Sequence, residues 1–540
     1  MDQSLRLLRT DETAPHILPE RSATDLGVQD LAQYFDLSFI SEHRIARRLS
    51  RPVDDVNEIV ARQDVFRDLR EHADLCEAFR SVIPKVDELS AFATTRRESG
   101  SILEQTIWRL GELELFTECV DILGSAFERT RQLSSTRLSG VATRISEIRS
   151  RPEFLRLRSE LPDMRAGLLQ RQSLTLGVNL DERLRPVEVA VLSVNAERFR
   201  ERSIIGRLFG TSGSFSTDST VFATPLPPEI TASARGKVPL SPLFQELETL
   251  IGDSLRPVQR TLRRYVDLNT AVLNGLRGDA AFFLGAIHLA ETLEHNGIAV
   301  CIPEIVRTGD DEVHDMVNLH LAMRFVRGES GRPVPNSFSF RRDARFFVLT
   351  GPNQGGKTTF TQAAGLLYLM AQNGLFVAAR SARIRPTDRI ETHFPSAEAG
   401  RLDTGRLSEE TARLSGLIDV ITGGSIVLLN ESLSSTGPHE AAVLAEELLR
   451  VFSSLGVRGV FATHLHDLAE SVCEDRHAYQ GLGSLVAEAE ISGDRAERTY
   501  RIREGSPDGS SYARDIAVRH GLSYEQMVER LAERGIGLES

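Results

Sequence analysis

Lysine is nearly absent: Lys85, Lys237 and Lys357 are three among 64 lysines and arginines. Where lysine is this rare, the position of each one carries weight. Cysteine is also sparse. Cys76, Cys119, Cys301 and Cys473 are dispersed with no CxxC pair, so no zinc module or disulfide framework is signalled and a reducing, cytoplasmic setting is expected. The opening residues, MDQSLRLLRTDETAPHILPE, lack the apolar core of a secretory signal. No run is suited to span a bilayer, so no membrane partner is expected. The most apolar stretch, Ala363 to Ala379, is broken by Gln372-Asn373-Gly374 and reads as a buried helix followed by a strand. There is no RNP-type aromatic motif, zinc finger or obvious helix-turn-helix, and no repeat with a period of about 20–50 residues.

What is present is an ordinary globular composition of 540 residues, 41% hydrophobic and 26% charged, which excludes collagen-like, mucin-like and wholly disordered chains. At roughly 100–200 residues per domain, the length holds about three or four domains. The net charge of -12 disfavours a generally basic nucleic-acid coat, yet binding depends on local faces and DNA or RNA is not excluded.

From about Asp25 to Gln172 apolar residues recur at three and four, as in LAQYFDLSFISEHRIARRL, predicting a bundle of long helices. Ser173 to Val194 shifts to β-branched alternation around an Asn-Leu-Asp turn, the pattern of a hairpin. Gly206 to Pro242, rich in Gly, Ser, Thr and Pro, is expected to be a long mobile loop. Helical periodicity returns from Pro242 to about Asn296, so hairpin and loop form an insertion between long helices. After Ile298 short apolar strands (RFFVLT, GSIVLLN, RGVFATH) alternate with helices, which implies a largely parallel α/β sheet. Strand-like runs at Leu485 to Ile491 and Thr499 to Arg503 precede an expected closing helix at Ser511 to His520.

The chemistry concentrates in this last region. Gly351, Pro352, Asn353, Gln354, Gly355, Gly356, Lys357 and Thr358 fit GxxxxGK[ST], between an apolar strand and a helix that Thr359 continues. Glycines let backbone N–H groups surround phosphates, the helix N-terminus adds its positive end, Lys357 neutralises β- and γ-oxygens, and Thr358 can ligand Mg²⁺. The expected ligand is ATP with Mg²⁺. GSIVLLNES ends an apolar strand where such enzymes place the Walker B pair, usually Asp-Glu; here it is Asn430-Glu431. Glu431 keeps the general-base candidate, while Asn430 lacks the formal charge expected beside the metal. His464 ends RGVFATH and could meet the γ-phosphate or attacking water, although a lone histidine is more often structural. Ser408, followed by two acids, reads by itself only as a helix N-cap.

TGPNQGGKTT, DTGRLSEET, LLNESLSSTGPHEA, FATHLHDL and GSSYARDIAVRHGL, in this order, resemble the ATPase domain of the MutS family of DNA mismatch repair proteins, a branch of the ABC-like P-loop ATPases. VPNSF and ARIRPTDRIETHF resemble the family segments on either side of the P-loop, so the similarity covers about Ile298 to Leu522. Weaker similarity, in ISEHRIARRLSRPVDDVNEIVARQDVFRDL and Leu243 to Pro303, extends to the family's helical levers. The resemblance implies an α/β ABC-like P-loop ATPase domain (298–522) and an N-terminal, mainly α-helical core and lever domain (25–297). The latter would carry a reduced, β-containing clamp insertion (173–242), with tails at 1–24 and 523–540. It makes Glu431 and His464 catalytic, His464 as γ-phosphate sensor. It gives Ser408 the nucleotide of a partner subunit and Ser434 to Thr436 the dimer interface, so a homodimer with composite ATP sites is implied. The departures are equally specific. The chain starts almost at the levers, so no mismatch-recognition domain is expected; Asn430 replaces the family's Walker B Asp, Gln354 its P-loop Met, and Pro333 or Val334 its adenine-stacking aromatic.

Slow hydrolysis is therefore expected, and branched or structured DNA fits better than a mismatch. An ATP-gated protein gripping a protein or ribonucleoprotein, with DNA binding lost, is the alternative. His43 to Arg51 and Leu255 to Tyr265 could touch phosphates, but solvated helix faces are the default for such stretches.

Overall fold

The computed structural model describes residues 4–8, 17–35, 41–98, 102–130, 132–169, 173–180, 182, 186–195, 256–395, 403–475, 477, 479–492, 495–507 and 521–534. The expected loop at Gly206 to Pro242 and the expected helix at Ser511 to His520 lie outside the described residues. The first half holds helices α1 (Glu20–Asp25), α2 (Val28–Gln33), α3 (Glu42–Leu49), α4 (Val56–Glu71), α5 (Ala73–Glu98), α6 (Ile102–Arg129), α7 (Thr136–Ser150) and α8 (Pro152–Leu169). Strands β1 (Ser173–Leu180) and β2 (Pro186–Asn195) and helix α9 (Asn274–His295) follow. Next come β3 (Glu304–Ile305), β4 (Asp311–Met316), α10 (Leu319–Val326), β5 (Asn336–Phe340), β6 (Ala344–Thr350), α11 (Lys357–Gln372), β7 (Ser381–Ile384) and β8 (Ile390–His393). The chain continues through α12 (Asp403–Ile418), β9 (Ile426–Asn430), α13 (Pro438–Leu455), β10 (Arg458–Ala462), α14 (His466–Glu474), β11 (Gly481–Ser492), β12 (Arg495–Glu504) and α15 (Tyr524–Glu533).

Two compact units emerge, the first being Met1–Arg6, Ala73–Leu133 and Leu138–Arg277, and the second Leu7–His72, Ser134–Arg137 and Gly278–Ser540. In the first, Leu110 and Leu113 of α6, Leu157, Leu161 and Met164 of α8, and Val258, Leu262 and Tyr265 share one apolar cluster. The Tyr265 hydroxyl donates to Glu160 at 2.8 Å, which satisfies the polar end of a buried ring. The hairpin read at Ser173 to Val194 is present as β1 and β2, antiparallel with Ser173 opposite Asn195.

The second unit is built on a six-stranded sheet in the order β12-β11-β6-β10-β9-β8. From β8 to β11 neighbours are parallel, and β12 turns back antiparallel on β11. Parallel strands covered on both faces are nearly continuous apolar runs, and all five residues of β9 and of β10 are buried, with polar Asn430 and Arg458 only at strand ends. A four-stranded sheet, β3-β7-β4-β5, lies in the same unit. Asp311 of β4 accepts from Tyr368 of α11 at 2.7 Å, from Arg458 of β10 at 2.5 Å and from the Arg385 backbone N–H at 2.8 Å. A fully buried carboxylate is tolerable only with such a complement of donors.

Helices α1 to α4 pack within the second unit: Phe66 stacks on Phe376 at 6.2 Å, Asn373 donates to Leu49 O at 2.9 Å, and Asp25 accepts from Thr392 at 2.6 Å. Helical periodicity tells which face is buried and not against what. The strand expected before Ala379 begins only at Ser381, after a single bridge between Val377 and Cys301. Ser408 does not cap a helix. α12 begins at Asp403, which keeps Leu407 on the same stripe as Leu414 and Ile418 and leaves Ser408 exposed inside the helix.

Candidate nucleotide-binding site

Buried strand β6 delivers the chain at Gly351, whose φ is 133°. A Cβ there would stand 2.7 Å from the Cβ and 2.8 Å from the carbonyl oxygen of Ala487 on β11, so only glycine passes. The turn closes with Gly355 N–H donating to Pro352 O at 3.1 Å, Asn353 and Gln354 are exposed at its tip, and Gly356, at φ 96°, caps α11 in the left-handed region. Lys357 is the first helical residue and is 4% exposed. Its Nζ donates to Gly351 O at 2.9 Å and Pro352 O at 3.2 Å, fixing the ammonium across the turn. Burial pulls its pKa below the ordinary lysine value, against the opposing pull of Glu431.

Thr358, one residue on, donates its hydroxyl to Asn430 Oδ1 at 2.8 Å, which joins the start of α11 to the end of β9. Immediately beyond, Glu431 N–H donates to Ala462 O of β10 at 2.7 Å, and Glu431 turns out of the sheet with φ 48°. His464 Nε2 stands 3.2 Å from Glu431 Oε1, and both side chains reach solvent. His466 is pushed below the ordinary histidine range by burial, then by His464 and Lys357.

A cavity of about 550 Å³ opens over the start of α11, with Gln354, Gly356, Lys357, Thr358, Thr359 and Glu431 in its wall. That size lies in the range of small-molecule sites, about 300–1,000 Å³. Pro333 and Val334, the residues at the family's aromatic position, line it but offer no ring face. Two aromatics do line it, the buried Phe360 and the exposed Tyr500 on β12, and the exposed face is that of Tyr500. Its ring is in the same wall and is 46% exposed, and its Cδ1 lies 3.7 Å from where a Cβ on Gly356 would be. Asn336 fixes this strand, donating to Tyr500 O at 3.0 Å and accepting from Ile502 N–H at 2.7 Å, with Tyr500 at φ 56°. The sequence placed Asn336 in VPNSF and Tyr500 in a strand, but no local signal joined them to the site.

Asn430 thus reaches the cavity through Thr358, and His464 through Glu431. Ser408 is not among the lining residues. The donor set suits Mg²⁺, because the Thr358 hydroxyl and Asn430 amide carbonyl are hard oxygen ligands and this ion keeps most of its shell for phosphate and water. Among the described residues no group of three His, Cys, Asp or Glu forms a separate metal site, and no helix is long and apolar enough to cross a membrane.

Two family models match this chain: MutS domain V over residues 347–533, which includes every residue of the cavity wall from Gln354 onward, and the MutS2 N-terminal domain over 54–296. "Endonuclease MutS2" of Thermus thermophilus is 33% identical over 209 residues, 38% of this chain and 27% of that protein. The protein of the same name from Thermomicrobium roseum is 27% identical over 398 residues, 71% of this chain and 46% of its own. "DNA mismatch repair protein MutS" of Chlorobium phaeobacteroides is 28% identical over 298 residues, 55% of this chain and 31% of that protein. The chain therefore spans less than half the length of each of these relatives. With matches on both sides of residue 300 and a domain V that carries the cavity, the chain belongs to the MutS family.

Proposed function

We propose that the protein is a slow, ABC-like P-loop ATPase of the cytoplasm that binds branched or structured DNA in repair or recombination as an ATP-gated homodimer. The observation that carries this reading is the convergence of Lys357, Thr358 and Glu431 on one cavity at the N-terminus of α11. Backbone N–H groups of the turn and the helix end would receive the phosphates. Lys357 would exchange its two carbonyl partners for β- and γ-oxygens, a move that keeps its buried charge paired. Thr358 and Asn430 would hold Mg²⁺, which when bound supplies positive charge at the β- and γ-phosphates. Glu431 would orient the attacking water and receive its proton, and His464, 3.2 Å from Glu431, would act as the γ-phosphate sensor. Tyr500 presents a ring face to the base.

Ser408 is exposed on α12 and away from its own cavity wall, which suits contact with a partner subunit's nucleotide. DNA would meet the levers and the reduced clamp. A second reading, a protein or ribonucleoprotein partner, is favoured by one observation: the basic stretches are partly neutralised, Arg48 by Asp279 at 2.7 Å and Arg264 by Glu160 at 3.1 Å.

The test is Glu431→Gln. The variant should bind ATP as the parent does, lose about 10²–10⁴-fold in hydrolysis, the usual worth of a positioned base, and accumulate an ATP-bound dimer in light scattering. That trapped dimer is then titrated with duplex, forked, four-way and single-stranded DNA at rising salt, where phosphate contacts must weaken. Parent-rate hydrolysis sinks the site assignment; a monomer at saturating Mg-ATP sinks the dimer; absence of salt-dependent DNA binding leaves the protein-partner reading.

A further inference from the structure

The turn that follows β9 is held in a conformation its residues resist. Glu431 has φ 48° and Leu433 φ 65°, two left-handed residues with full side chains within three positions. Such backbones persist only where surrounding contacts over-determine them. Leu433 is anchored by its side chain, 2% exposed in the apolar cluster beneath the sheet. Its backbone is held by one acid from another element. Glu410, on α12, accepts from Leu433 N–H at 2.6 Å with Oε1, and from the Ser435 hydroxyl with Oε2. Between the two left-handed residues, the Ser432 hydroxyl meets His393 Nδ1 at 2.7 Å. The far side of the turn is fixed by Glu431 N–H on Ala462 O.

We propose that Glu410 is a positioning residue for hydrolysis: its carboxylate, bridging Leu433 N–H and the Ser435 hydroxyl, holds Leu433 left-handed and so keeps the Glu431 carboxylate facing the cavity. The proposal rests on the reading of Glu431 as the group that orients water. It differs from that reading in assigning an α12 residue outside the cavity wall a part in the chemical step. No atom of Glu410 needs to touch nucleotide. The P-loop, Lys357 and Tyr500 do not depend on it, so binding and turnover should separate.

The experiment compares Glu410→Ala and Glu410→Gln with the parent in steady-state hydrolysis, ATP calorimetry and thermal melting. Glu410→Ala should lower kcat by about 10²-fold, the loss expected from roughly 1 Å of misplacement of a reacting group. ATP affinity should stay at the parent value, and melting should fall only by the few degrees that the loss of these hydrogen bonds costs. Glu410→Gln, which still accepts from Leu433 N–H and can donate to Ser435, should recover most of the loss. In a Glu431→Gln background, Glu410→Ala should cost nothing further, because two residues acting through one step are not additive. Parent-level kcat in Glu410→Ala, a fall in affinity matching the fall in turnover, or full additivity with Glu431→Gln would each overturn the proposal while leaving the ATP site intact. Parent-rate hydrolysis by Glu431→Gln alone would instead remove the reading beneath it.

Discussion

Acidification should destabilise the second unit through one residue, His393. Its ring is 3% exposed at the end of β8, with Nδ1 on the Ser432 hydroxyl and Nε2 enclosed without a partner among the described residues. Burial first, and the neighbouring Arg413 second, bring its pKa down from 6.5 to about 4. Between these values the unfolded chain binds a proton at this ring and the folded chain does not. Stability therefore rises with pH across that window and is lost as pH falls from 6.5 toward 4. From pH 8 to pH 5 the single site should cost about 2 kcal/mol, with a limit of about 3 kcal/mol below both values. Urea unfolding followed by far-UV circular dichroism at pH 5, 6, 7 and 8 measures it, for the parent and for His393→Gln. The only tryptophan, Trp108, belongs to the first unit, so its fluorescence supplies an internal reference. The parent should lose about 2 kcal/mol more than His393→Gln over this range in the dichroism transition, with no matching difference in the Trp108 transition. Equal pH dependence in the two proteins would show that the buried ring does not carry the proton linkage inferred for it.

The candidate site was legible in the sequence to the extent that its chemistry is local. A P-loop is a strand, a turn and a helix start within about fifteen residues, so Gly351 to Thr359 could be placed from spacing alone. Asn430, Glu431 and His464 followed because they end apolar strands, and β9 and β10 do lie side by side with Val460 opposite Leu428. The residues that escaped join the site from afar. Tyr500 comes in from β12, 143 positions beyond Lys357, and its left-handed backbone is set by the distant Asn336. Glu410 read only as an acid near a helix start, because nothing in DTGRLSEET shows that it meets Leu433 and Ser435. The packing partners of the N-terminal helices were hidden for a related reason. The apolar stripe of α4 predicted a buried face, whereas its partner, Phe376, lies about 300 residues away and is invisible to any periodicity.

Two further outcomes bear on nucleotide choice and rate. Tyr500→Ala should weaken ATP binding about 5- to 150-fold, the worth of about 1–3 kcal/mol for a base on an aromatic face. Its affinity for magnesium tripolyphosphate, which has no base, should not change; equal losses for both ligands in calorimetry would place the ring elsewhere. Asn430→Asp concerns the metal. Thr358 donates to Asn430 Oδ1 at 2.8 Å, and an aspartate in the same rotamer would accept the same bond with a full charge behind it. A carboxylate is also the better Mg²⁺ ligand, so the variant should need less Mg²⁺ for half-maximal hydrolysis and should turn over faster, provided Glu431 and His464 are competent. The comparison must be made over a Mg²⁺ titration, because saturating metal would mask a change that lies mainly in affinity. If the parent already hydrolyses ATP at roughly 1–100 s⁻¹, the range of kinases, the amide is no handicap. If the parent is slow and the aspartate leaves both its rate and its Mg²⁺ requirement unchanged, then Asn430 does not face the metal, and its bond to Thr358 serves only to join α11 to β9.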